Sequence, residues 1–263
     1  MSEMRAELLK VINEYLSLAI DQQLDYGKFY LYSIITHSTA IEGSTVTEIE
    51  NRLLFDEGIS ANKPMAEQLM NLDLKKAYEQ AFVYTEKHEK ITVELLCSLS
   101  ALVMRNTGSD YNTLSGSFSS AKGELRLVNV SAGIGGKSYP AWQKIPEKLR
   151  NFCCWLNEER TKTDPNDTEK VYELSFEAHY RLASIHPWAD GNGRMSRLVM
   201  NMIQRESNLV PSIVKNESRA AYIQSLADSQ ETENSKKFID FMFDHHIENL
   251  QQQITEYKNS IAR

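Results

Sequence analysis

Glycine and proline are scarce in this chain, at 11 and 6 of 263 residues, too few for a fibrous or linker-dominated protein. Cysteine is scarcer still, at three. Cys97 stands alone and Cys153 adjoins Cys154, so neither zinc-ligand spacing nor a disulfide framework is available. All three are expected as small buried hydrophobes in a reducing compartment. Long apolar runs are missing too. The most apolar stretch, Ile91 to Met104, is interrupted by Glu94, Ser98 and Ser100 and is too short to span a bilayer. Met1 to Lys10 is charged and amphipathic, without the apolar core of a signal peptide. Basic residues number 29 against 36 acidic ones, a net charge of −7, which removes any general attraction for phosphate backbones. These absences lead to the expectation of a cytoplasmic protein that binds neither nucleic acid nor membrane.

What is present is helical periodicity. Leu8, Val11, Ile12, Tyr15 and Leu18–Ala19 recur at three and four, and Leu95, Leu96, Leu99, Leu102 and Val103 form a second stripe. Leu69, Leu72, Lys76 (by its stem), Tyr78 and Phe82 follow the period more loosely. Phe176, Tyr180 and Ala183 mark a helix that must end near Ile185, because Pro187 disfavours helical geometry at its predecessor. Met195, Leu198, Val199, Met202 and Ile203 define an amphipathic helix starting near Gly193. Phe238, Phe241, Met242, His245 and Ile247 indicate a last core helix before a Gln-rich tail. One segment breaks the pattern: six of the 11 glycines lie between Gly108 and Gly136. There Leu125 and Leu127 alternate with Arg126, Val128 and Val130, which predicts a short strand, with Gly133, Gly135 and Gly136 turning it toward Tyr139–Pro140. The expectation is a β-hairpin inserted in a mainly α body.

Chemistry concentrates in His186-Pro187-Trp188-Ala189-Asp190-Gly191-Asn192-Gly193-Arg194-Met195-Ser196-Arg197. Exposed N–H groups at the start of the following helix form an anion site. Gly191 and Gly193 let backbone approach a phosphate without Cβ interference. Arg194 and Arg197, three apart, can face one ligand together. Two cations at a helix N-terminus are unfavourable alone, so a polyanion is implied. Asp190 is a hard oxygen donor suited to Mg²⁺ beside phosphate, and His186 can act as a general base. Taken singly, a Gly-Asn-Gly loop is most often a turn and a histidine before proline a structural residue.

This segment resembles the signature of Fic-domain proteins, His-Pro-Phe-x-Asp-Gly-Asn-Gly-Arg-x-x-Arg, with Trp188 in place of phenylalanine. Eight fixed identities in twelve positions would arise by chance with a probability on the order of 10⁻⁸ at average composition. Weaker similarity extends from Gly123 to Asp244. The resemblance implies a mainly α fold: a helical Fic core over residues 91–250, a flap near 125–140, an N-terminal helical extension over 1–90 and a polar tail over 251–263. It further implies transfer of AMP from ATP, with Mg²⁺, to Tyr, Thr or Ser hydroxyls of a protein target, the chain itself included. His186 would take the hydroxyl proton and Asp190 hold Mg²⁺. Gly191, Asn192, Gly193, Arg194, Met195, Ser196 and Arg197 would line the nucleotide. Ile134, Gly135, Gly136 and Lys137 would belong to the flap, which could pair with an extended target segment. Tyr222, Ile223 and Gln230 fall where the family meets the adenosine, with Ile223 and Gln230 departing from its usual pattern.

Upstream, Ser38-Thr39-Ala40-Ile41-Glu42-Gly43 resembles the family's inhibitory motif. Ser38 and Glu42 are four apart and share a helical face, and Gly43 suits a helix end. Glu42 at a helix C-terminus is disfavoured by the dipole unless it meets a cation, and the resemblance supplies Arg197. Glu42 would then hold the site at low activity from within the chain. Other residues carry less. His245–His246 point about 100° apart on a helix and read as packing rather than a metal site. His179 reads as a residue that packs or orients the loop, Tyr26, Tyr30 and Tyr32 as core or rim, and Ser184 and Ser196 lack a nucleophile elbow. Removal of AMP using Glu42, another phosphate-containing transfer, and a non-catalytic nucleotide-sensing module stay open, as does a homo-oligomer.

Overall fold

Apolar residues at three- and four-residue spacing are met by helix along most of the chain. The computed structural model describes residues 3–132 and 137–262. Among the described residues the elements run α1 (Glu3–Ser17), α2 (Tyr26–Ile41), α3 (Glu48–Asp56), α4 (Met65–Glu86), α5 (Val93–Val103), β1 (Asp110–Thr113) and β2 (Gly116–Ser119). They continue as α6 (Ile145–Lys162), α7 (Thr168–Ile185), α8 (Asn192–Glu206), α9 (Arg219–Thr232) and α10 (Lys236–Ile261). The mainly α expectation holds.

Helix α8 is the axis of the packing: α7, α4, α5 and α2 all lie against it. Twelve of its residues are buried, so it is covered nearly all round rather than on the one face its apolar stripe predicts. The polar side is tolerated because its donors and acceptors are met. Asn201 accepts from the Tyr78 hydroxyl at 2.8 Å and donates to Ser212 O, and Gln204 donates to Ser175 Oγ and Ser212 Oγ and accepts from Ser212 N. α7 stops where proline requires it: His186 caps it in the left-handed region, φ 51° and ψ 61°.

On α4 the buried face is Asn71, Leu74, Ala77, Tyr78 and Ala81, whereas Lys76 is exposed and Leu69 and Leu72 are only half-buried. Polar residues here face inward to a network described below, which rotates the helix away from its apolar stripe. Thr47 and Glu50 form a capping box that starts α3. Of the cysteines, Cys153 is buried as expected, but Cys154 is exposed and Cys97 half-buried, because α6 turns Cys154 off its packed face. The tyrosines are structural. Tyr15 packs T-shaped on Tyr26, which lies tilted on Tyr30, and Tyr30 donates to Pro211 O at 2.9 Å. No described helix is long and apolar enough to cross a membrane.

The regular hairpin lies earlier than the alternation predicts. β1 and β2 pair antiparallel with Tyr111 opposite Phe118, their rings stacked at 4.8 Å. Residues 125–130, the expected strand, form none. That segment is irregular, bending at Leu127–Val128, and its far part closes through Tyr139 N–Val130 O, Ala132 N–Lys137 O and a single bridge between Ser131 and Ser138. The alternation failed as a strand signal because Arg126 is not a solvent-facing residue: it is 1% exposed.

Three buried histidines besides His186 set a pH limit on stability. Burial lowers His179 well below its ordinary value, His245 to about 4 and His246 to about 3. His245 accepts from Lys215 N, while neither ring nitrogen of His246 has a partner among the described residues. A folded-state pKa below the unfolded one means the unfolded chain binds protons first as pH falls below about 6.5. Stability is therefore complete above that pH and is lost toward pH 4. Together the three groups should remove roughly 4 kcal/mol between pH 7.5 and 5.5, lowering Tm by about 10 °C. Thermal unfolding across this range measures it. His246→Leu should reduce the dependence; an unchanged Tm from pH 7.5 to 5.5 would refute the assignment.

Candidate active site

The site is built where the C-terminus of α2 meets the N-terminus of α8. Arg197, on the second turn of α8, is 3% exposed. Its Nε donates to Ser38 Oγ at 2.8 Å, its Nη2 to Ser38 O at 2.9 Å and to Glu42 Oε1 at 2.6 Å, and its Nη1 to the Tyr222 hydroxyl at 3.3 Å. One guanidinium thus ties α2, α8 and α9 together. Burial alone would favour its neutral form, but Tyr222 and Glu42 more than offset that and raise its pKa. For Glu42 the balance is similar: burial opposes its charge, yet Arg197 holds its pKa below the ordinary carboxylate value. A third of the Glu42 side chain remains exposed, so solvent screens part of this attraction.

The same carboxylate lies against the start of α8, which has no side-chain cap. A Cβ on Gly193 would stand 2.5 Å from Glu42 Oε1 and 3.1 Å from Arg197 Nη1, so a side chain there would push this ion pair aside. Glu42 therefore occupies the position that the helix dipole and first-turn amides offer to an anion. Gly191 begins that turn at φ 81°, and a Cβ there would press on Met104 Sδ at 2.9 Å.

The other motif residues divide by the direction they face. Trp188 is fully buried and donates through Nε1 to Gly123 O. The Asn192 amide accepts from Trp188 N and donates to Trp188 O, bracing the loop across itself. Met195 is buried in the core, and the Ser196 hydroxyl donates to Asn192 O at 2.9 Å. Arg194 is 2% exposed yet poorly paired. Asp190 Oδ1 is 3.4 Å away, Met104 Sδ 3.1 Å, and its Nε has no partner among the described residues. Asp190 itself is open to solvent.

His186 is half-buried, its ring stacked on Tyr139 at 3.9 Å and 17°. Burial, reinforced by the nearby Arg126 cation, lowers its pKa to about 4, so it is neutral and able to accept a proton near pH 7. Tyr222 turns inward, its hydroxyl on Arg197 and His179 Nε2. Ile223, one residue on, is 45% exposed on the other side of α9. Gln230 lies at the far end of α9, its amide on Ser184 Oγ and its carbonyl accepting from the Lys137 ammonium. Ile134, Gly135 and Gly136 lie outside the described residues.

Three supports surround the ion pair, of which the sequence reading singled out only His179. Arg219 Nε donates to Ile41 O at 2.7 Å, holding the end of α2. His179 buttresses Tyr222 and, through it, Arg197. A buried polar cluster fixes α2 to α3 and α4. Asn71 Oδ1 accepts from Thr39 Oγ1 and Asn51 Nδ2, and its Nδ2 donates to Ser44 Oγ. The only sequence cue was an asparagine on the buried side of a helix, a pattern that needs the packing to interpret.

Comparison with known proteins agrees with this geometry. Residues 90–204 match the model of the Fic/DOC family. The protein adenylyltransferase fic-1 of Caenorhabditis elegans is 26% identical over 236 residues, covering 88% of this chain and 42% of its own length. The protein adenylyltransferase Fic of Drosophila erecta is 28% identical over 215 residues, covering 80% of this chain and 39% of its own. The chain thus spans about two fifths of the length of these curated relatives. A Fic domain containing signaling protein from Bacteroides thetaiotaomicron shares the fold at a TM-score of 0.75 and 20% identity, over 96% of this chain and 98% of that one.

Since Asn71 anchors the Glu42 segment, Asn71→Ala should cost about 2–4 kcal/mol by leaving several buried partners unmet. It should also speed amide exchange in residues 38–46 more than in α7. Equal exchange at 38–46 in variant and wild type would show that the cluster does not hold Glu42. The matched part of the chain, residues 90–204, is a Fic domain.

Proposed function

We propose that this chain is a protein adenylyltransferase, moving AMP from ATP to hydroxyl side chains of a protein target and restrained by Glu42. The observation that carries the proposal is the Glu42–Arg197 contact at the N-terminus of α8, 2.6 Å long and seated against Gly193. A carboxylate placed there competes directly with phosphate for one anion site, and a competitor is of use only where phosphate is bound.

The chemistry follows from the neutral His186. It accepts the proton of a Tyr, Thr or Ser hydroxyl as that oxygen forms a bond to the α-phosphorus. The bond from the α-phosphorus to the bridging oxygen breaks, and pyrophosphate leaves with the electron pair. Gly191 and Gly193 allow backbone to approach the phosphates, and Arg194, buried and under-paired, offers charge to them as it develops. Asn192 keeps the loop in shape through Trp188. Arg197 can serve the outer phosphates only when Glu42 releases it, which is the restraint. The flap residues Ile134 to Lys137 and the α9 residues Tyr222, Ile223 and Gln230 are the proposed nucleotide and target contacts. Tyr222 acts there through Arg197.

Mg²⁺ fits this site as a metal shared with substrate. Among the described residues no group of three or more His, Cys, Asp or Glu could hold a metal by itself. Asp190, an exposed carboxylate at the mouth of the anion site, supplies the single protein ligand that Mg²⁺ needs beside phosphate oxygens. Bound there it would neutralise phosphate charge. Three free cysteines suit a reducing, cytoplasmic setting. One observation favours a second reaction at this site, removal of AMP. Glu42 is held ionised and partly exposed, so it can hold a water against the phosphorus of an AMP-modified protein.

The test incubates protein with Mg²⁺ and α-labelled ATP. Glu42→Gly should transfer at least tenfold more label to protein than wild type, and adding His186→Ala should abolish it. No label from any variant that binds ATP would reject the transferase. Loss of AMP from a pre-labelled protein with wild type, but not with Glu42→Gln, would replace it with the second reading.

A further inference from the structure

Arg126 is buried at 1% exposure, and among the described residues no carboxylate pairs with it. Its guanidinium is spent on three main-chain carbonyls instead. Nε donates to His186 O at 2.8 Å, Nη1 to Val128 O at 2.6 Å and Nη2 to Pro140 O at 2.7 Å. Its own amide donates to Pro187 O at 3.1 Å. Val128 and Pro140 are the two ends of the flap segment, and His186–Pro187 is the turn that presents the base. Residue 126 therefore binds both stems of one loop and the two carbonyls of another.

A cation so placed is costly, since burial disfavours its charge and lowers its pKa. An apolar residue would fill the volume without that cost but would leave three buried carbonyls unmet. Only the planar fork of arginine reaches acceptors in three directions at once; a lysine offers its donors from one point. The fork also meets a local need. His186 has a left-handed backbone, unusual for a residue with a Cβ, and the carbonyl it turns out is the one Arg126 receives. Across the same junction Tyr139, next to the gripped Pro140, lies flat on the His186 ring. The flap stem and the histidine thus touch through a backbone clamp and a ring stack.

We infer that Arg126 is a positioning residue that locks the flap stems to the His186 turn, so that Tyr139 and the proton acceptor move as one body. It touches neither nucleotide nor target and acts through His186 and Tyr139. The kinetic part of this inference rests on the transferase reading; the mechanical part does not.

Amide exchange followed by NMR tests the mechanical part on the unaltered protein. The Arg126, Tyr139 and His186 amides should exchange with rates, corrected for intrinsic chemistry, within about threefold of one another. Independent opening, with Tyr139 exchanging more than tenfold faster than Arg126, would overturn the clamp. Arg126→Lys and Arg126→Met should then raise exchange at Tyr139 and His186 at least tenfold, with the centres of α7 and α8 unchanged. A uniform rise across the molecule would mean that Arg126 serves only global stability. In the Glu42→Gly background, Arg126→Lys should lower kcat for AMP transfer at least 30-fold and change KM for ATP less than threefold. Retained kcat, or a loss entirely in KM, would overturn the positioning role. No transfer by the Glu42→Gly parent would reject the transferase reading alone, because the exchange rates still decide the clamp.

Discussion

The arrangement depends on burying arginine at the head of a helix. Arg194 and Arg197 sit on the first two turns of α8, where the dipole already favours negative charge, and both are almost fully removed from water. Such a pair is unfavourable unless anions or acceptors come to it. Arg197 finds them on α2 and α9: among the described residues Ser38, Glu42 and Tyr222 accept its hydrogen bonds. Arg194 finds little, only a sulfur, a long contact to Asp190 and a distant carbonyl. The asymmetry tells the two apart. One cation is held by a carboxylate at 2.6 Å, and the other has only the 3.4 Å contact to Asp190.

Holding Glu42 in place requires more than its ion pair. A carboxylate at the end of a helix would be free to swing if the helix end were loose. Here Arg219 takes the carbonyl of Ile41, and the Asn51–Asn71 cluster pins Thr36, Thr39 and Ser44. This polar interior is why α4 presents asparagine rather than leucine to its neighbours. It also makes the N-terminal helices part of the site rather than an appendage to it.

The two sides of the site are supported differently. Around the start of α8, rigidity comes from the helix itself and from the Asn192–Trp188 brace. On the histidine side it comes from a neighbouring loop, through Arg126. His186 is kept neutral chiefly by being buried and secondarily by that same cation. Hence one residue contributes to the backbone shape and the proton affinity of the group that would accept the substrate proton.

Local pattern determined a great deal. The end of α7 was legible because proline constrains its predecessor, the start of α8 because glycines precede a regular apolar stripe, and the end of α2 because Gly43 follows a helical run. The pairing of Glu42 with Arg197 was also legible, though only through resemblance, since nothing in spacing joins residues 155 apart. Tertiary structure alone decided the rest. Arg126 looked like the polar half of a strand, yet it is buried because its acceptors come from residues 128, 140 and 186. Lys76, expected inward by its stem, is exposed while Asn71 is buried, because a buried polar group is tolerated wherever partners converge, and convergence is not written in any one segment. The hairpin moved to 110–119 because a cross-strand aromatic pair needs only one residue from each strand, too little to stand out as alternation. Periodicity reports which residues prefer to leave water; which polar residues can follow them depends on what packing brings within hydrogen-bond reach.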